Sequence, residues 1–277
     1  MIEKDTLPLV TVIIPNYNNA VYLKESIDSV KRQTYKKIEI LVVDDCSTDN
    51  SLEILSEIKL ITPQLIVYVN SENKGVSFTR NQGVKYARGS YVTTLDPDDV
   101  YYPDKIEKEV ELIRKHKGHS IVAYSGFNSV DENMRAMWLK TKLTKFNSVN
   151  GFVFRRLLYM SVPVPRDMLI SKEQFFSVGG FNENMNLYED WDFKLRLAKK
   201  YKFFFSGSYG VKYRRHKKGL SAVDFSKHSI VMKEIFLQYA DLRRDSYSIF
   251  RVINGGRISQ LLKFLLYIPI FNFLFRD

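Results

Sequence analysis

The stretch "VTVIIPNYNNAVYLKESIDSVKRQTYKKIEILVVDDCSTDNS", residues 10–51, decides the fold. It opens on a β-branched apolar run without polar alternation, the pattern of a strand covered on both faces. A helix-period segment follows, with Leu23, Ile27 and Val30 on one face, and then a second apolar run, "IEILVVDD" at 38–45. "LIVYVN" (65–70) and "YVTTLD" (91–96) repeat the strand theme. Between them Ile54, Leu55 and Ile58, and then Val76, Gly83, Val84 and Ala87, follow helical spacing, and Gly89 reads as the stop of the third helix. Strands alternating with helices in this way predict βαβ crossovers and an open, mostly parallel sheet: an α/β fold with helices on both faces.

Such a sheet binds ligands beyond the carboxyl ends of its strands. Those ends carry "PNYNN" (15–19), "DDCSTDN" (44–50), "NSENKG" (70–75) and "DPDD" (96–99). Asp-Pro-Asp-Asp is good turn chemistry in its own right, and "DDCSTDN" reads equally as a helix start capped by Ser47 or Thr48. Carboxylates packed this closely nevertheless repel one another unless a cation or an array of donors compensates. Mg²⁺ or Mn²⁺ does so with oxygen ligands and leaves positions for phosphate. Neither a G-x-G-x-x-G fingerprint nor a P-loop is present, so a bound nucleotide would depend on metal and side chains to hold its phosphates.

Composition bounds the class. With 277 residues, 45% of them hydrophobic, the chain can bury a sizeable core and is neither disordered nor fibrous. The net charge of +11 favours anionic ligands: nucleotides, nucleic acid or an acidic lipid surface. The single cysteine, Cys46, excludes an internal disulfide, and "MIEKDTLPLV" lacks the basic and apolar regions of a signal peptide, so a cytoplasmic address is expected.

Four segments in register carry a resemblance. They are residues 10–51, "NKGVSFTRNQGVKYARGSYVTTLDPDDVYYPDKIEKEV", "GGFNENMNLYEDWDFKLRLAKKYKF" and "YRRHKKGLS". Together they resemble the successive motifs of a family 2 glycosyltransferase with the GT-A fold, from residue 9 to about 221. The resemblance implies a catalytic domain over 1–224, with a nucleotide-sugar half to about residue 100 and an acceptor half from 101 to 224. It assigns Pro15, Tyr17, Asn18 and Asp45 to the nucleotide, with Asp44 ranked below Asp45 because it can cap the following turn. Arg80 would contact the donor. Asp96 and Asp98 match the family's D-x-D, one carboxylate near the ribose and one on a Mn²⁺ or Mg²⁺ ion, and Asp99 competes for the metal position. Asp190, with Glu189 beside it at a helix start, becomes the general base of an inverting transfer, and Trp191 is placed on the acceptor side. Arg215, or Arg214, together with His216 would reach the diphosphate or the metal. A UDP-sugar donor and a glycan or polyprenyl-diphosphate-linked acceptor in surface polysaccharide (O-antigen or capsule) synthesis complete the expectation. Nucleic acid is not an expected partner.

Beyond residue 224 the composition changes. Residues 228–242 have amphipathic helical spacing through Ile230, Ile235, Leu237 and Leu242, and the run from Leu261 to Phe275 is apolar but interrupted by Lys263, Pro269 and Asn272. Its 15 residues are short for a span of roughly 20. With Arg243, Arg244, Arg251, Arg257 and Arg276 it reads as an extension (225–277) lying on the inner face of the cell membrane, against the alternatives of a core helix or a homodimer contact. Two other function classes compete: a non-catalytic basic binder of membrane or nucleic acid, which leaves the acids at 45, 96, 98 and 190 without a role, and a sugar-nucleotide pyrophosphorylase, which would want a Gly-rich basic loop where "PNYNN" stands.

Overall fold

Every residue of strand β1 (Val10–Asn16) is buried, and its neighbours explain why. In the computed structural model, which describes residues 7–116, 120–137, 149–160, 162–215 and 225–240, β1 is the middle strand of a five-stranded sheet. It pairs in parallel with β2 (Ile38–Asp44), Val10 opposite Ile38, and with β4 (Tyr91–Thr94), Val10 opposite Tyr91. β3 (Leu65–Val69) extends the β2 side, and a two-residue strand β7 (Ile170–Ser171) runs antiparallel on β4, giving the order β3-β2-β1-β4-β7. Ile13, Leu41, Val43 and Val92 point into one core cluster, and Val12, Ile14, Ile40 and Val42 into the other, so the strands need apolar residues on both faces.

Helices α1 (Ala20–Lys31), α2 (Ser51–Leu60) and α3 (Val76–Tyr86) connect these strands, and Leu23, Ile27, Val30, Leu55, Ile58 and Val84 are buried as their spacing predicts. Gly89 departs from its expected role. The helix already ends at Tyr86, with Ala87 in extended backbone, and Gly89 instead lets the chain pass β1: a Cβ there would sit 2.7 Å from the Thr11 nitrogen.

The chain reverses direction at β1, since β2 lies on one side of it and β4 on the other. This switch point opens a crevice above the carboxyl ends of the two strands. The second layer covers it. β5 (Val100–Tyr101), β6 (Ile121–Val130) and β8 (Lys202–Arg214) form a three-stranded sheet in the order β5-β8-β6, backed by α4 (Lys105–Lys115) through Ile106, Val110 and Ile113. Three helices follow: α5 (Phe154–Leu158), α6 (Lys172–Ser177), whose Ser171 and Gln174 form a capping box, and α7 (Glu189–Ala198). α8 (Phe225–Tyr239) lies on the same core through Ile235 and Phe236, and the Tyr239 hydroxyl donates to Asp192. Ile230 and Leu237, expected on its apolar face, are exposed instead, because Tyr159 and Asp192 select the stripe through Phe236 and Tyr239. Among the described residues no helix is long and apolar enough to cross a membrane, and the run at 261–275 lies outside them.

Candidate functional site

A cleft of about 960 Å³ opens at the switch point. Its first wall comes from the loops after β1 and β2. Asp44 is fully buried and accepts from Asn16 Nδ2 (2.7 Å), the Ser47 backbone N–H (2.8 Å) and the Ser47 hydroxyl (2.7 Å), so it caps the turn. Asp45 faces the cleft beside Pro15 and Tyr17. Its carboxylate accepts from Asn70 Nδ2 (2.7 Å), Gly75 N (2.7 Å) and Lys74 N (3.1 Å), which pins the loop before α3. The Lys74 N–H is shared between the two oxygens, 3.1 Å from each, so all four acceptor directions of the carboxylate are met, one N–H filling two of them. Tyr17 is 44% exposed and offers an open ring face. Asn18, expected at the nucleotide, turns elsewhere: its Oδ1 accepts from Thr48 N and Asp49 N and ties the two loops together, while Asn16 and Asn19 line the cleft.

The acidic turn forms the floor. The backbone N–H of Asp99 donates to the Asp96 carbonyl at 3.0 Å, so "DPDD" is a true turn, and it also gathers carboxylate oxygens of Asp96, Asp98 and Asp99 within 4.8 Å of one another. Arginines compensate them. Arg80 Nη2 lies 2.9 Å from Asp96 and Arg166 Nη2 lies 2.7 Å from both Asp96 and Asp99. Arg80 is buried rather than a surface residue of α3, and its Nη1 donates to Glu189 at 2.7 Å. Burial works against the charge on Asp96, but Arg166 and Arg80 outweigh it and hold its carboxyl below the usual range. At Asp99 burial wins, reinforced by Asp98 and Asp96, and its carboxyl is pushed well above that range despite Arg166. The donor set fits a hard divalent cation: oxygen ligands only, clustered and bordering the cleft.

The opposite wall starts α7. Tyr188 holds a left-handed backbone (φ 60°) immediately before the helix, and it projects Glu189 and Asp190 from the first turn. Glu189 is committed to Arg80. Asp190 borders the cleft, paired with Lys194 at 2.8 Å, whose amine also donates to the Val164 carbonyl. Burial raises the Asp190 carboxyl, yet Lys194, Arg166 and Arg80 together bring it below the usual range, so it is ionised at neutral pH. Trp191 contributes to the wall, but its indole N–H donates to the Leu157 carbonyl at 2.7 Å and its ring is buried, which locks α7 to α5. Arg214 is spent on Asp98 O, Glu132 O and Glu25, whereas Arg215 lies exposed at the cleft. His216 lies outside the described residues.

Arg166, Lys194 and Tyr213 were not singled out in the sequence. The Tyr213 ring lies 4.8 Å under the Arg166 guanidinium. The segment "VPVPR" at 162–166 carries the strap that delivers Arg166, together with the apolar lining from Val162, Pro163 and Pro165. Its alternating prolines were the available signal of a rigid, extended strap.

The family model "Glycosyl transferase family 2" matches residues 11–165. An uncharacterised glycosyltransferase of Rickettsia felis is 34% identical over 76% of the chain, which spans 34% of that relative. The putative teichuronic acid biosynthesis glycosyltransferase TuaG of Bacillus subtilis is 37% identical over 43% of the chain and 50% of its own length. The chain thus spans about a third to a half of these relatives. The crystal structure of S. aureus TarS 1-349 in complex with UDP-GlcNAc superposes with a TM-score of 0.66 at 24% identity, over 84% of this chain and 67% of that one, which establishes the GT-A fold. By the match of the family model to more than half its length, the chain belongs to glycosyl transferase family 2.

Proposed function

We propose that the chain is an inverting glycosyltransferase that moves a sugar from a nucleotide sugar to a hydroxyl of a surface-polysaccharide precursor. The observation that carries this reading is the convergence of three groups on one cleft: Asp45 and Tyr17 on one wall, Asp96, Asp98 and Asp99 on the floor, and the ionised Asp190 on the other wall. Tyr17 stacks on the base, and Asp45 accepts its N–H in place of one of the two contacts it shares with the Lys74 N–H. Arg166 turns its guanidinium to the diphosphate, joined by Arg215 at the rim, while Arg80, its two terminal nitrogens held by Glu189 and Asp96, adds its charge from beneath. Asp96, Asp98 and Asp99 would hold a divalent cation, Mn²⁺ or Mg²⁺, which would supply Lewis-acid stabilisation of the departing nucleoside diphosphate. Asp190 takes the proton from the acceptor hydroxyl as its oxygen attacks the anomeric carbon opposite the leaving group, which inverts the configuration. Its low basicity suffices because the proton moves late. Glu189 acts through Arg80 and positions it.

UDP-sugars are the first donors to test, since TarS, of the same fold, is solved with UDP-GlcNAc. TuaG's name supports a surface-polysaccharide product. The basic, amphipathic sequence after residue 240 supports an acceptor met at the inner membrane face, such as a polyprenyl-diphosphate-linked glycan. The test is donor turnover, followed as nucleoside diphosphate release with acceptor present, in wild type and Asp190→Asn. The variant should lose roughly 10²–10⁴-fold in kcat while binding donor as wild type does. Unchanged kcat in a folded Asp190→Asn protein would remove the base and the mechanism with it.

A further inference from the structure

The acidic turn already holds a cation of the protein's own. Arg166 Nη2 stands 2.7 Å from an oxygen of Asp96 and 2.7 Å from an oxygen of Asp99, two of the three carboxylates that could ligate metal. The contact is built. The Tyr213 ring supports the guanidinium from below at 4.8 Å, the Tyr213 hydroxyl accepts from the Arg166 backbone N–H at 3.3 Å, and that hydroxyl in turn donates to Asp167 Oδ1 at 2.6 Å. A dication ligated by the same oxygens would stand beside a fixed like charge, which opposes its entry. The Arg166 side chain is 27% exposed and lines the cleft, so an anion can reach it from the solvent side. A nucleoside diphosphate supplies that anion: its phosphate oxygens match the guanidinium fork and neutralise both cations at once.

We propose that Arg166 is a donor-binding residue that makes metal and nucleoside diphosphate enter the site together, by occupying Asp96 and Asp99 as a resident counter-cation until the diphosphate draws it away. The inference rests on the donor reading of the cleft. It makes binding of the two ligands reciprocally coupled, each tightening the other by the same factor.

The experiment is a Mn²⁺ titration of the full chain, read by the electron paramagnetic resonance signal of free Mn²⁺, with and without saturating UDP, for wild type, Arg166→Gln and Arg166→Lys. Wild type should bind Mn²⁺ at least about tenfold more weakly without UDP than with it. Arg166→Gln should bind Mn²⁺ alone at least about tenfold more tightly than wild type, and UDP should then add little. Arg166→Lys, which keeps the charge, should stay near wild type in the metal-alone arm. Equal Mn²⁺ affinity with and without UDP in the wild type overturns the proposal, and this arm needs no variant to fold. So does an Arg166→Gln protein, folded by circular dichroism, whose affinity for Mn²⁺ alone equals or falls below that of the wild type. If the wild type binds no nucleoside diphosphate at all, the donor reading fails by itself, and the metal-alone arm still decides whether Arg166 excludes the cation.

Discussion

Two ionic networks meet at consecutive residues and are put to opposite use. Arg166 reaches into the cleft, to Asp96 and Asp99, while Asp167 turns into the interior. There Lys105, wholly buried, donates to Glu109 at 2.7 Å and to the Asp167 carbonyl at 2.7 Å, and its amine lies 4.5 Å from the Tyr101 ring centre. Ser125 closes that network by donating to Glu109. Tyr213 touches both, hydroxyl on Asp167 and ring under Arg166. The residue types are nearly the same on the two sides. The difference is access: Asp96, Arg166 and Asp190 keep 19%, 27% and 29% of their side-chain surface open, whereas Lys105 and Glu109 keep none. A sealed network can only hold the fold. An open one can exchange its internal partners for a ligand's charges.

This contrast can be broken at its sealed end first. Lys105→Met leaves Glu109 and Asp167 facing each other in the interior without their cation, so it should cost about 3–5 kcal/mol in a urea titration. A loss under about 1 kcal/mol would show that the interior network does not hold the second layer in place. The smaller effect lies in the cleft. Lys194 is the chief counter-charge that keeps the Asp190 carboxyl low against burial. A base held low stays ionised as pH falls and is lost only below the ordinary aspartate value near 4, and any stability it lends is present above that value and lost beneath it. Lys194→Met lets burial dominate and should move the acid limb of the kcat–pH profile upward by about one unit. An unmoved limb would mean that Lys194 serves the Val164 strap rather than the base.

How much was legible in the sequence follows the same division between local and distant causes. β1 and β2 announced themselves because strands covered on both faces need unbroken apolar runs, whereas β3, at the sheet edge, leaves Tyr68 and Val69 exposed; the acidic ends at Asp45 and Asp96–Asp99 followed from where the strands stopped. Arg80 could be marked on α3, but not its burial, which depends on Glu189 more than a hundred positions away. Arg166 was invisible for a related reason. A lone arginine after alternating prolines has no periodicity, and its partners come from the turn at 96–99 and the end of β8. Gly89 misled because a glycine just past a helix resembles a stop, while the constraint was the approach of another strand's backbone. Asn18 misled because the same loop offered Asn16 and Asn19 for the cleft.

The central claim, that the floor of the cleft binds a nucleoside diphosphate through metal and carboxylate, is tested most directly by calorimetry. UDP, GDP, CMP and dTDP would be titrated into wild type and Asp98→Asn, each with and without Mn²⁺. The account predicts Mn²⁺-dependent binding of one nucleoside diphosphate, UDP first, weakened at least about tenfold in Asp98→Asn. Binding that ignores Mn²⁺, or an Asp98→Asn protein that binds as tightly as wild type, would contradict it and return the acidic turn to a structural role.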